Sequence, residues 1–121
     1  MRKLGRYTEH RLSMLQNLCI SIVEHGKIVT TLARAKELKR IIDPFITRAK
    51  IENLHNRRIL LSRLKQKDTV NKLFKIAQEN TNRPGGYTQI VRCGYRSDGG
   101  EKALIKIIDY PVEVINDRTN L

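Results

Sequence analysis

Tryptophan is absent from the 121 residues, and the other rings number only two Phe and four Tyr. A reader of single strands stacks successive bases on several exposed rings, and few rings are free for that here. Acidic residues are also scarce, with 12 Asp and Glu against 24 Lys and Arg, a formal net charge of +12 and a pI near 10.2. An excess this large points to a polyanionic partner.

Cysteine is limited to Cys19 and Cys93, one in an apolar helical stripe and one in a strand, at no metal-ligand spacing. Two free thiols in a reducing compartment are therefore expected. His10, His25 and His55 fall in three separate segments and none belongs to a two-His helical motif, so no metal site is expected. No nucleophile elbow, catalytic cluster or cofactor cradle is present: Arg83-Pro84-Gly85-Gly86-Tyr87 lacks the spacing and the Lys-Ser/Thr of a P-loop and precedes a strand. No apolar run reaches the roughly 18 residues of a membrane span, and the start lacks a signal-peptide core. The expectation is a soluble intracellular chain with no membrane and no small-molecule substrate.

What is present is organised around residues 28–50. Lys27 to Thr31 is a short β-branched run that reads as a strand; the remainder reads as a helix with two faces. Ala35, Leu38, Ile42, Phe45 and Ala49 share one side at about 100° per residue. Lys36, Lys39, Arg40 and Lys50, interrupted by Asp43 and Thr47, make the opposite stripe. Pro44 removes a helical donor and crowds the preceding turn, which predicts a kink, or a break with Asp43 as cap.

In chain order, residues 1–7 are a basic arm. A first helix capped by Thr8 carries the apolar residues Met14, Leu15, Leu18, Cys19, Ile22 and Val23, and Gly26 ends it. After the central strand and helix, a third helix is expected over about Leu54 to Lys67. Leu54, Leu61 and Leu64 form its buried side with Leu60 beside them, and Arg57, Arg58, Arg63, Lys65 and Lys67 crowd the remainder. Asp68 is placed to cap a fourth helix, in which Val70, Leu73, Phe74 and Ala77 repeat at i, i+3, i+4 and i+7.

The pattern then changes to strands at Tyr87 to Cys93 and Ala103 to Asp109, joined by a turn at Ser97-Asp98-Gly99-Gly100. The domain organisation is an arm at 1–7, one α+β domain at 8–110 and a tail at 111–121. A two-layer α+β fold follows, ordered helix, strand, three helices and two strands, with a small three-stranded sheet covered by helices on one face. The charge is uneven: residues 1–75 hold 18 Lys and Arg against 6 Asp and Glu, while residues 76–121 hold 6 of each. The helices are therefore the expected polyanion surface, read by phosphate and shape.

Several short motifs together carry a family resemblance. They are Gly5-Arg6, His10-Arg11, Met14-Leu15-x-Asn17-Leu18 and Ile28-x-Thr30-Thr31-x-x-Arg34-Ala35-Lys36-Glu37-Leu38, then Leu54-His55-x-Arg57-Arg58, Val70-x-Lys72-Leu73-Phe74 and Arg83-Pro84-Gly85-Gly86-Tyr87-Thr88. In that order and at that spacing the chain resembles the bacterial-type large-subunit ribosomal protein seventeen family. The resemblance implies a structural constituent of the large ribosomal subunit, without catalytic activity. It also implies contact with large-subunit ribosomal RNA near the peptide exit side, neighbouring large-subunit ribosomal proteins as partners, and the bacterial cytoplasm or an organelle interior as location.

By matching motif positions the implied RNA contacts are Arg6, His10, Arg11, Arg34, Lys36, Arg57, Arg58, Arg83 and Tyr87, with Gly85 and Gly86 opening the loop to close approach. Arg2, Lys3, Lys39 and Arg40 join them from charge and facing alone. The chain departs from the family in Gln78-Glu79-Asn80, where a basic and aromatic element is usual, and in its hairpin turn. Two rival classes fit less well. A helix-turn-helix DNA regulator has no segment left for a dimer or sensing element, and an RNA-processing enzyme lacks its carboxylate or His cluster.

Overall fold

The computed structural model describes residues 8–111, except for the side chain of Thr8. The arm at 1–7 and most of the expected tail lie outside the described residues, as does the expected Thr8 cap. The elements are α1 (Thr8–His25), β1 (Lys27–Thr31), α2 (Leu32–Ala49), α3 (Leu54–Leu64), α4 (Lys67–Glu79), β2 (Thr88–Tyr95) and β3 (Glu101–Ile107). The three strands form one antiparallel sheet in the order β1-β3-β2. The α+β order expected from the sequence is the one observed.

Alternation decides which face of the sheet is covered. Ala103, Ile105 and Ile107 on the central strand are buried, with Ile28 and Ile90 packed beside them under the helices. The intervening row of Val29, Leu104 and Val91 points the other way, and Val29 is 61% exposed. Among the described residues, helices therefore lie on one side only. Helix α2 is the piece both layers share, touching α1, α3, α4 and all three strands.

The turn from α1 into β1 is made at Gly26, whose φ of +79° suits a residue without a Cβ. A Cβ there would lie 2.9 Å from the ring of Tyr110. The Tyr110 hydroxyl meets the carbonyls of Val23 at 2.6 Å and Glu24 at 2.8 Å, two of the acceptors that the end of α1 leaves without helical donors. Thr31 caps α2, its Oγ1 accepting from the Arg34 N–H at 3.3 Å.

Helix α2 runs through Pro44 without the break considered above. Asp43 is not a cap: its Oδ1 accepts from the Thr88 hydroxyl at 3.1 Å, which ties the helix to β2. Thr47 Oγ1 donates to the Asp43 carbonyl at 3.1 Å, giving that proline-flanked turn an added bond. Ile46 is fully buried, whereas Phe45, placed in the core by spacing, is only half-buried.

Helix α3 differs most from expectation. It is capped by Asn53, whose Oδ1 accepts from the Asn56 N–H at 2.8 Å, and ends at Leu64 because Lys65 turns left-handed at φ 60°. Its buried side is Asn56, Leu60 and Leu64, while Leu54 and Leu61 are exposed. The facing is set by Asn56, which donates to the Ile51 carbonyl at 2.7 Å and accepts from Arg48 at 3.2 Å, so a polar residue goes inside with its bonds made. Helix α4 begins two residues earlier than expected, with Gln66 at the cap and Asp68 inside the first turn. Its apolar face is as expected, with Val70, Leu73, Phe74 and Ala77 buried.

The β2–β3 hairpin closes where expected, the Gly99 N–H donating to the Arg96 carbonyl at 3.0 Å and the Gly100 N–H to Asp98 Oδ1 at 3.0 Å. Arg92 pairs with Ala103 and Gly94 with Lys102, which leaves Cys93 as the extra residue of a bulge.

Leu60→Ala should cost about 2–5 kcal/mol in urea unfolding through a core cavity, and Leu61→Ala less than about 1 kcal/mol; the reverse order would restore the leucine-only facing of α3. Burial pushes the Cys19 thiol up to about 12, while Cys93 is exposed. A thiol reagent at pH 8 should therefore label one site in the folded chain and two in urea. Rapid double labelling without urea would contradict that burial.

Candidate nucleic-acid interface

The basic side chains divide into those that hold the fold and those left facing outward. Lys39 belongs to the first group: its Nζ donates to the Thr88 carbonyl at 2.6 Å and Oγ1 at 3.1 Å and lies 3.3 Å from Asp43 Oδ2. Arg57 does too. It donates to Asn71 Oδ1 and to Glu52 Oε1, both at 2.6 Å, and lies 4.7 Å above the centre of the Phe74 ring, a stacked geometry that guanidinium groups favour.

The loop after α4 is held in the same way. Arg83 donates to Asp109 Oδ2 at 2.9 Å and to Asn80 Oδ1 at 3.3 Å, while Lys50 donates to the Arg83 carbonyl. Tyr87 is buried, with its hydroxyl 3.2 Å from Thr47 Oγ1 and the Lys50 ammonium 4.7 Å from its ring centre. Burial pushes its phenol up, but hydrogen bonds from Lys50 and Thr47 and the Lys50 charge outweigh this and leave it below the ordinary tyrosine value. Lys50, expected in the outward stripe, is thus turned onto the loop.

The second group is Arg34 and Lys36 on α2 and Arg58 and Arg63 on α3, none of which has an ion-pair or hydrogen-bond partner for its side chain among the described residues. Arg40 is exposed, with one long contact of 3.4 Å to Glu37. His10 is exposed on the first turn of α1, and Arg11 is half-buried beside it. Gly85 and Gly86 are exposed, and a Cβ at either would meet nothing within 4 Å. Arg2, Lys3 and Arg6 lie outside the described residues.

Some of the expected residues gather in three places, while His10, Arg11, Arg57 and Arg58 line none of them. Lys36, Lys39 and Arg40 line a shallow groove with Ile90. Arg34 lines a notch of about 220 Å³ at the end of the sheet, with Arg96 and Lys102. Gly85, Gly86 and Tyr87 border a larger groove with Arg48 and Arg63. Arg48, Arg96 and Lys102 were missed by sequence reasoning. Lys102 reaches the notch because it pairs with Thr31 across β1 and β3, a long-range register that local spacing does not carry. No group of three His, Cys, Asp or Glu suited to a metal occurs among the described residues, and none of their helices is long and apolar enough to cross a membrane.

A small two-layer fold that engages Glu24, Glu37 and Asp43 within its own helices and sheet and turns a set of cations outward is built like the basic structural proteins of ribonucleoprotein particles. Residues 14–108 match the family model described as ribosomal protein L17, and the chain belongs to that family. It is accordingly a structural constituent of the large ribosomal subunit and not an enzyme.

Lys39→Met should lower stability by about 1–2 kcal/mol in urea unfolding, since it takes the Lys39 ammonium from Asp43 Oδ2 and the Thr88 carbonyl. Lys36→Met should change it by less than about 0.5 kcal/mol. Equal effects would remove the distinction between cations that hold the fold and cations that face outward.

Proposed function

We propose that this chain binds large-subunit ribosomal RNA through the outward cations of α2 and α3, with the arm residues Arg2, Lys3 and Arg6, His10 and Arg11, and the Gly85-Gly86 loop adding contacts. The observation that carries the reading is the division of charge. Arg34, Lys36, Arg58 and Arg63 are left without partners among the described residues of a chain whose net charge is +12. Solvated cations on rigid helices neutralise phosphates at little ordering cost, which suits a folded RNA whose backbones approach closely.

Within this reading Lys39, Arg57, Arg83 and Tyr87 act one step back from the RNA. They hold α2, α3 and the glycine loop in place, while Arg40 keeps donors open to a phosphate beside its one long contact to Glu37. A position near the peptide exit side, with other large-subunit proteins as neighbours, and a home in the bacterial cytoplasm or an organelle are part of the same proposal. They rest on the family and the motif series.

The test is sedimentation of tagged chain from cell extract through sucrose gradients at low salt and at about 0.5 M, where the Debye length falls to about 4 Å. Co-migration with the large subunit in both gradients is expected; loss at high salt would reduce the chain to a peripheral binder. In filter binding to large-subunit RNA, the combined Arg34→Ala, Lys36→Ala and Arg58→Ala variant should lower the salt slope by about 2–3, at roughly 0.7–0.9 per phosphate contact. An unchanged slope would remove these helices from the interface.

A further inference from the structure

An open groove of about 720 Å³ lies between the second half of α2, α3 and the glycine loop, within the roughly 300–1,000 Å³ of small-ligand sites. Its chemistry differs from the rest of this basic surface. Phe45, Ile51 and Ile59 give it an apolar lining, and Ile51 is 66% exposed. Arg48 and Arg63 stand at its margin. Arg48 is held in place by Asn56 at 3.2 Å, while Arg63 has no partner among the described residues.

We propose that this groove receives one unstacked nucleotide of the bound RNA, its base against Phe45, Ile51 and Ile59 and its phosphate on Arg63. The inference rests on the RNA-binding reading above and gives it one specific occupant. A base taken out of its stack presents two apolar faces, one polar edge and an attached negative charge. The groove offers the complement in each respect: one ring, aliphatic walls and a cationic rim. Asp43 is the one carboxylate among the lining residues, and both of its oxygens are engaged, Oδ2 by Lys39 and Oδ1 by Thr88. It does not stand free against a phosphate.

The glycine loop supplies the remaining wall. The space above Gly85 and Gly86 is empty to 4 Å from any added Cβ, so a ribose can lie against the backbone there. Phe45 explains how a chain with few free rings takes a single base: the ring that spacing assigned to the core is only half-buried and borders the groove. One ring suffices for one base, but it does not make a platform for a strand.

The experiment is ultraviolet cross-linking of the full chain to bulk large-subunit ribosomal RNA, with nucleotide adducts placed on tryptic peptides by mass spectrometry. It is run beside filter binding of Ile51→Ser and Gly85→Leu over a salt series. Both positions are exposed and Gly85 has room for a side chain, so both variants should melt like the parent. The expected result is an adduct on the 41–48 peptide that falls at least about fivefold in each variant, with affinity weakened about fivefold and the salt slope lowered by no more than about 0.7–0.9, the share of the single phosphate contact on Arg63.

Adducts confined to other peptides, or a 41–48 adduct undiminished in both variants, would overturn the proposal. So would a 41–48 peptide shielded in the assembled subunit yet free of nucleotide, which would give the groove to a neighbouring protein. Parent chain that retained no RNA at any salt would bring down the RNA-binding reading itself, a failure distinct from that of the groove alone.

Discussion

The fit of the Tyr110 ring over Gly26 is the constraint on which the two-layer arrangement depends. At that point the chain leaves α1 and enters the edge of the sheet within one residue, and the segment after β3 returns to cover the joint. The Gly26 carbonyl accepts from the Ile107 N–H at 2.8 Å, so the same residue also anchors the end of the central strand. Any side chain at position 26 would meet the ring and force φ away from +79° together. Because α1 packs on α2 and β1 pairs with β3, displacing the joint would disturb both layers at once.

A second theme is that charge serves two purposes in one fold. Lys39, Arg57 and Lys72 cross between elements, the last to Glu24 at 2.7 Å, and they engage the carboxylates of Asp43, Glu52 and Glu24. Half-buried pairs of this kind are worth more than surface pairs because water screens them less. The cations left over face outward from helices that cannot easily reorient. The family's role in a ribonucleoprotein and the internal architecture thus draw on the same stock of residues, and which cation does which is decided by what lies within reach of it.

That division explains what could be read from sequence and what could not. Strands β1 and β3, the Gly26 turn and the buried face of α4 were legible, since each depends on a local period or on a backbone angle that one residue type favours. The facing of α3 was not, because four leucines in eleven residues define no single stripe and the decisive burial is that of Asn56. A buried amide is recognisable only once its partners, the Ile51 carbonyl and the Arg48 guanidinium, are in place. Arg57 reads as a solvated charge until Phe74, seventeen positions away, slides beneath it. The outward residues Arg34, Lys36 and Arg58 were legible as cations, but the notch that gathers Arg34 with Arg96 and Lys102 exists only through strand register.

The bulge at Cys93 bears on the life of the chain before assembly. With the order β1-β3-β2, both outer strands have one edge that pairs with no strand among the described residues, the kind of edge along which copies of a protein zip together. The extra residue on β2 breaks the regular spacing of that row, and Arg92 and Gly94 flank the break. On the other side, β1 is only five residues long and begins with Lys27. Both features make these edges poorer templates for a second copy of the chain than long, regular strands would be.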